Sequence, residues 1–245
     1  SGVSCKLING NRGMFNNEQL IKAINPPDFY HSPKTSLVCI ENTTNKGGGA
    51  CWNIDELKLI KNTCIENNLS YHLDGARIWN AMIKMNQSPK DYGSLFDSIS
   101  VCLSKGLGCP SGSVLISSNN LIERALRVRK ILGGGMRQVG YLAACGIYAL
   151  ENNLLRLSKD HDRASEIEKT LNNLSFIKKV EPVETNIVIF EIDSIINSDL
   201  FINKLNEKGI KIISMGDNKL RIVTHLDYTD EMHQAFLKIL NELKF

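Results

Sequence analysis

An amine, an acid and a guanidinium stand at places where the chain pattern puts strand ends. Lys105 closes Ser98-Ile-Ser-Val-Cys-Leu-Ser-Lys105. Ile99, Val101 and Leu103 alternate there with Ser98, Ser100, Cys102 and Ser104, which predicts a short buried strand. Gly106, Gly108 and Pro110 then force a turn. An ammonium at the end of a buried strand is costly to desolvate, so burial favours the neutral amine, a nucleophile for carbonyl compounds. The alternative is a lysine that snorkels from the strand end into water. Leu69 to Asp74 is a second apolar strand, with Gly75-Ala76-Arg77 after its acid, and Ser36 to Glu41 is a third, ending in Glu41-Asn42. For Asp74 and Arg77 the alternative is a local salt bridge at a strand–helix junction. Taken together, the three side chains suit pyridoxal phosphate. That cofactor needs a lysine for its Schiff base and an acid to keep the ring nitrogen protonated. An arginine then holds an amino acid's carboxylate through two parallel hydrogen bonds.

The elements that must position these groups follow from periodicity. Ser1 to Asn25 reads as a strand-like start, a turn at Asn9 to Gly13, and a weak helix from Glu18 to Ile24 that Pro26 and Pro27 end. Leu37-Val-Cys-Ile is continuously apolar, the pattern of a strand buried on both faces. Asn42 to Gly49 can only be a loop. Asn53 and Glu56 resemble a capping box, and Ile54, Leu57, Ile60, Cys64 and Ile65 carry the helical period. Strand, helix and strand within about forty residues make a βαβ unit and so a parallel sheet. Ligands of such sheets gather outside the carboxyl ends of the strands. A short helix from Ile78 to Met85 follows, then the Lys105 strand and another from Gly112 to Ser117. Leu121 to Leu132 is amphipathic. Met136 to Glu151 is apolar nearly all round, which predicts a helix buried in the domain or at a subunit contact. Beyond Asn152-Asn153 the pattern changes to a charged helix (Leu154 to Leu174), strands at 176–180, 186–192, 210–214 and 220–224, and helices at 199–208 and 229–243. The expectation is an α/β protein with a large domain over 1–152 and a small α+β domain over 153–245.

Composition narrows the classes. The 245 residues are 42% hydrophobic, enough for a good core, and no apolar run reaches the roughly 18 residues that span a bilayer. A net charge of +3 gives no reason to expect nucleic acid or a membrane surface as partner. The cysteines are odd in number, scattered and without a CxxC pair, so free thiols in a reducing cytoplasm are expected, with no metal site.

Three stretches carry a family resemblance: Tyr71-His-Leu-Asp-Gly-Ala-Arg-Ile-Trp-Asn-Ala81, Ser100-Val-Cys-Leu-Ser-Lys-Gly-Leu-Gly108, and Arg129-Lys-Ile-Leu-Gly-Gly-Gly-Met-Arg-Gln138. With Leu37 to Thr43 and Leu220-Arg-Ile-Val-Thr-His-Leu-Asp227, they resemble the low-specificity L-threonine aldolases in order and nearly without gaps. The resemblance implies pyridoxal-phosphate enzymes of the aspartate-aminotransferase fold type (fold type I), with a mainly parallel large-domain sheet. It implies retro-aldol cleavage of L-threonine or L-allo-threonine to glycine and an aldehyde. Other enzymes of the fold type, a β-eliminating lyase or an aminotransferase, share the lysine, acid and arginine pattern. By the same resemblance Lys105 carries the cofactor, Asp74 pairs with the pyridinium nitrogen, and Arg77 and Arg221 grip the substrate carboxylate. Arg137 reaches the cofactor phosphate of a neighbouring subunit, which implies a homodimer or homotetramer with its active site at the subunit interface. The bland reading of Arg137 is a helix-start salt bridge. His31 falls where the family has a histidine that assists proton transfer near the substrate hydroxyl. Two departures stand out: Thr44 replaces the histidine of the central Glu-Asn-Thr-His-Asn motif, and no phosphate cradle or ring-stacking aromatic precedes Ser36. The chain is therefore expected to be a fragment, or a truncated and inactive homologue.

Overall fold

The computed structural model describes residues 2–245 and arranges them as two four-stranded sheets dressed with helices. Residues 2–10 have no regular structure, in contrast to the strand that their pattern predicts, and among the described residues none pairs with them as a strand. Helix α1 (Asn17–Ala23) starts on Asn16, whose side chain accepts from the Gln19 N–H while Gln19 returns the bond to the Asn16 N–H.

The predicted βαβ unit forms. Strands β1 (Leu37–Glu41) and β2 (Ser70–Gly75) pair in parallel, Leu37 opposite Ser70 and Glu41 opposite Asp74, with α2 (Ile54–Glu66) as the crossover. Asn53 caps α2 through the Asp55 N–H rather than through a reciprocal box with Glu56. Helix α3 (Ile78–Met85) follows β2 directly, and a short helix α4 (Pro89–Gly93), not foreseen from the pattern, is started by Ser88 and Asp91 capping one another. Strand β3 (Ser98–Cys102) adds in parallel to β2, and β4 (Ser113–Ser117) closes the sheet antiparallel, in the order β1-β2-β3-β4. Helices α5 (Asn119–Ile131), α6 (Gly140–Asn152) and α7 (Leu157–Asn172) lead to the second sheet. Its strands β5 (Ile177–Val180), β6 (Ile187–Ile192), β7 (Ile213–Gly216) and β8 (Lys219–Val223) are antiparallel in the order β5-β6-β8-β7, with α8 (Ser198–Glu207) and α9 (Asp230–Glu242) between and after them.

Each sheet has its own core. Val38, Ile40, Tyr71, Leu73, Ile99 and Val101 project from one face of the first sheet onto Leu57, Ile60 and Cys64 of α2. At roughly 1.5–3 kcal/mol for each fully buried large apolar side chain, that face dominates the stability of this half. Val188, Phe190, Ile192 and Leu220 do the same in the second sheet, against Ile167, Leu171, Phe201 and Phe236. A smaller cluster of Leu103, Leu107, Ala149 and Leu157 holds the segment after β3 against α6 and α7.

One burial expectation is corrected: β1 is buried on one face only, since Leu37 is 52% exposed and Cys39 also faces out. Of the two placements expected for α6, burial within its own domain is not seen, since only Gly146 and Ala149 are buried and Tyr141 is 82% exposed.

A buried polar seam joins the halves. Arg156 grips the fully buried Asp160 carboxylate with two bonds of 2.9 Å. Next to it, the Asn80 amide of α3 stands 3.1 Å from His161 Nε2. An amide nitrogen can only donate, so the ring nitrogen accepts and the imidazole is neutral. Burial pushes His161 down to about 4, with Lys84 adding to the shift and the Asp160 and Asp162 carboxylates opposing it. The unfolded chain therefore takes up a proton near 6.5 that the folded chain refuses until about 4. Stability is fully present above pH 6.5 and falls as the pH drops through this window, by roughly 2–3 kcal/mol. We expect His161→Gln to flatten that slope in urea unfolding curves taken across the window; an unchanged slope would place its origin elsewhere.

Candidate active site

The register of the first sheet sets Glu41, Asp74 and Ser100 in a row across β1, β2 and β3. Because strand side chains alternate, this row shares the open face with Cys39, His72 and Cys102. His72 Nδ1 meets Ser98 Oγ at 2.7 Å, and desolvation presses that imidazole below its ordinary range.

After β2 the chain turns at once into α3. Asp74 Oδ1 accepts the Ala76 N–H at 3.1 Å, an Asx-type turn that fixes the carboxylate at the strand end. Arg77 makes no ion pair with Asp74, so the local salt bridge is not what this spacing encodes. Instead Arg77 lies near Arg221, which β8 brings in from the second sheet. Burial and then the Arg221 guanidinium press Arg77 below the usual arginine value, with Glu41 and Asp74 opposing. Burial does the same to Arg221, again opposed by Glu41. Among the described residues neither guanidinium has an ion-pair partner, and Arg221 Nε is buried with nothing to donate to. Two half-buried cations with free donors, from two different sheets, make a receptor for a carboxylate or a similar anion. A cavity of about 550 Å³ opens beside β7, β8 and α9, with Arg221 on its wall alongside Lys211, His225, Tyr228 and Phe236.

Lys105 sits in a turn that is tied from both sides. The Gly108 N–H donates to the Lys105 carbonyl at 2.9 Å, and Cys109 N–H and Leu103 N–H bond to Leu103 and Gly112 carbonyls. Gly108 has φ of +78°, a left-handed conformation that favours glycine in this turn. Arg156 and Asn153 then clamp the carbonyls of Gly106 and Leu107 at 3.0 and 2.8 Å. The Lys105 amine lies 3.3 Å from Cys102 Sγ. Its side chain is exposed, so the desolvated strand-end ammonium expected from the pattern is replaced by an amine reaching outward. Asp74 faces Ser100, one side-chain repeat short of Cys102, which separates the two Cα atoms by about 8 Å across the sheet. Asp74 and Arg77 thus stand at the end of β2 with Arg221 near Arg77, while Lys105 reaches Cys102 at the end of the neighbouring β3.

Two other residues singled out by sequence are not joined to them. His31 is exposed on a turn, stacked on Tyr30 with ring centroids 3.8 Å apart, and bonds to none of the four. Arg137 is exposed after the triple glycine and forms no ion pair among the described residues, so the helix-start salt bridge is not made. Thr44 is 2% exposed, its hydroxyl buried without a partner.

A clamp between the sheets escaped sequence reasoning. Arg12 bonds the Glu184 carboxylate and the Gly47 and Pro182 carbonyls; the second Glu184 oxygen accepts the Cys51 N–H at 3.0 Å. Thr185 Oγ1 donates to the Gly49 carbonyl at 2.8 Å, close enough that a Cβ on Gly49 would lie 2.4 Å from that hydroxyl. The clamp ties the segment before β6 to the loop that follows β1. Arg12 and Glu184 are 172 residues apart, so no local spacing announces them. Glu184→Ala removes the carboxylate partner of Arg12, which keeps only its carbonyl bonds, and leaves the Cys51 N–H without its acceptor; it is expected to cost roughly 1–3 kcal/mol by urea unfolding; a neutral result would show the clamp to be incidental.

The chain is similar to known proteins in sequence and in fold. The beta-eliminating lyase family model matches residues 1–194. The chain is 37% identical to "Low-specificity L-threonine aldolase 1" of Arabidopsis thaliana over 235 residues, covering 93% of this chain and 65% of that protein. It is 39% identical to the low specificity L-threonine aldolase of Escherichia coli over 207 residues, covering 84% of this chain and 59% of the relative. The chain therefore spans about three fifths of the length of these relatives. A threonine aldolase structure from Leishmania major superposes with a TM-score of 0.78 at 20% identity, covering 95% of this chain and 68% of that one, which establishes the fold-type-I α/β architecture. Members of this family and fold type are pyridoxal-phosphate-dependent lyases and their kin. By its sequence match, this chain belongs to the beta-eliminating lyase family.

Proposed function

We propose that the chain forms the lysine-bearing part of a pyridoxal-phosphate-dependent aldolase. It would cleave L-threonine, L-allo-threonine and related β-hydroxy-α-amino acids to glycine and an aldehyde. The carrying observation is the approach of Arg77 and Arg221 from separate sheets, beside Asp74 and Lys105, with guanidinium donors left free. Those vacant donors and the outward amine fit an amino acid held next to a carbonyl cofactor. When bound, pyridoxal phosphate supplies the carbonyl that captures amines and a ring that accepts the electrons of the broken carbon–carbon bond.

The chain's own residues do the rest. Lys105 would hold the cofactor through its amine, the one nucleophilic amine at this turn. The Asp74 carboxylate, fixed by the Ala76 N–H, keeps the ring nitrogen protonated. Arg77 and Arg221 fix the α-carboxylate, which sets the bond to be broken in one orientation. His31 is assigned the proton of the substrate hydroxyl by resemblance alone. Arg137 is assigned the phosphate of a neighbouring subunit in a homodimer or homotetramer. The bare apolar surface of α5 and α6, with Ile131, Leu132 and Tyr141 more than 70% exposed, supports burial against another chain. The division into a large part over 1–152 and a small part over 153–245 is supported by the two separate sheets and cores. The free thiols support a reducing, cytoplasmic setting, and among the described residues no helix is long and apolar enough to cross a membrane.

The test is to supply purified protein with pyridoxal phosphate and L-threonine and to measure glycine and acetaldehyde in equal amounts. A second reading, β-elimination, is favoured by the family model matched. Pyruvate from tryptophan or cysteine, without glycine from threonine, would establish it instead.

A further inference from the structure

Cys102 ends β3 and Lys105 lies in the turn beyond it, and the turn folds the amine back to within 3.3 Å of the thiol sulfur. Cys102 is half-buried at the open face and Lys105 is exposed, so a small oxidant reaches both. We propose that this pair is a peroxide-driven covalent switch, in which oxidation of Cys102 closes a sulfur–nitrogen bond to Lys105 and takes its amine out of use.

The chemistry balances in two steps. The Cys102 sulfur attacks hydrogen peroxide, the O–O bond breaks, and sulfur loses two electrons to become a sulfenic acid while one water leaves. Lys105 Nζ, having given a proton to water, then attacks that sulfur, the S–O bond breaks, and hydroxide departs with a further proton lost from nitrogen as a second water. The product is a sulfenamide, lighter than the starting thiol and amine by two hydrogens, and an added thiol reopens it. Sulfenic acids condense with a nearby nitrogen when one is in reach, and here the nitrogen is already in contact.

The other thiols do not share this geometry. Cys51, Cys64 and Cys109 are buried, and desolvation pushes Cys51 up to about 12 and Cys64 up to about 11, which keeps them protonated and inert. Cys5, Cys39 and Cys145 are exposed, but among the described residues none bonds to a lysine amine. The bond itself does not depend on the function proposed above. Its consequence, a lysine unable to hold pyridoxal phosphate, rests on that reading.

The experiment uses the 245-residue chain with Cys5, Cys39 and Cys145 changed to serine, so that Cys102 is the one accessible thiol. After limited hydrogen peroxide, trypsin should fail to cut at Lys105 and release a peptide spanning 91–124 that is two hydrogens light. Dithiothreitol should restore the cut, and Cys102→Ser should never lose it. Lys105→Gln should leave Cys102 with one added oxygen and no loss of hydrogen. If Cys102 gains oxygen while Lys105 is still cut, or if the light peptide persists in Cys102→Ser, the proposal is overturned. Saturation with pyridoxal phosphate before peroxide should lower the cross-linked fraction roughly tenfold or more. An unchanged fraction would leave the cross-link standing and overturn the assignment of Lys105 to the cofactor.

Discussion

Lys105→Ala is expected to abolish covalent capture of pyridoxal phosphate and to lower aldol cleavage by roughly 10³-fold or more, because no other group can take over the amine's role. The fold should be indifferent to the change. The Lys105 side chain is exposed, its one polar contact is the Cys102 thiol, and the turn is closed by its backbone carbonyl, which alanine keeps. An exposed side chain with so little to hold contributes within about 0.5 kcal/mol of nothing. The loss is therefore chemical, and the readout can be too. Borohydride reduction of the loaded protein should fix the cofactor to the peptide carrying residue 105 in the parent and to no peptide in the variant. Cofactor found on another lysine, or an unaltered imine absorbance in Lys105→Ala, would show that the amine has been placed wrongly.

How far the sequence alone reaches is set by whether a signal is local. The βαβ unit was legible because β1, α2 and β2 each carry their period within a dozen residues, and the helices and strands of the second half fell within a few residues of their expected places. The strand-end row of Glu41, Asp74 and Ser100, with Lys105 in the turn beyond β3, follows from that topology plus the rule about carboxyl ends of parallel strands. What failed was burial. Leu37-Val-Cys-Ile and the apolar length of α6 encode surfaces meant to be covered on more than one side, and a hydrophobic pattern does not say by what. Leu37, Tyr141 and Ile147 stand open in the described chain, which spans about three fifths of its relatives. The pairing of Arg77 with Arg221 came from the family resemblance, and the Arg12–Glu184 clamp from nothing in the sequence. Both are contacts across more than a hundred residues between polar groups that have no periodicity to betray them.

Arg221→Leu is the more discriminating substitution, since activity and stability should move in opposite directions. Losing a two-pronged, charge-assisted grip on the substrate carboxylate is expected to cost roughly 2–3 kcal/mol, or about 100-fold in kcat/KM, carried mainly by KM because the carboxylate is held in ground and transition states alike. In the free protein the same guanidinium is a burden. It is partly buried, its Nε has no acceptor, and it adds to the shift on Arg77, while the Glu41 carboxylate offsets only part of this. Removing it should therefore leave stability unchanged or slightly raised, the sign expected of a group retained for binding at the expense of folding. Arg221→Lys keeps the charge but not the planar fork, and should fall between the two in KM. A variant that unfolds more easily while keeping its KM would mean that Arg221 holds the second sheet against the strand ends, and that Arg77 grips the carboxylate without it.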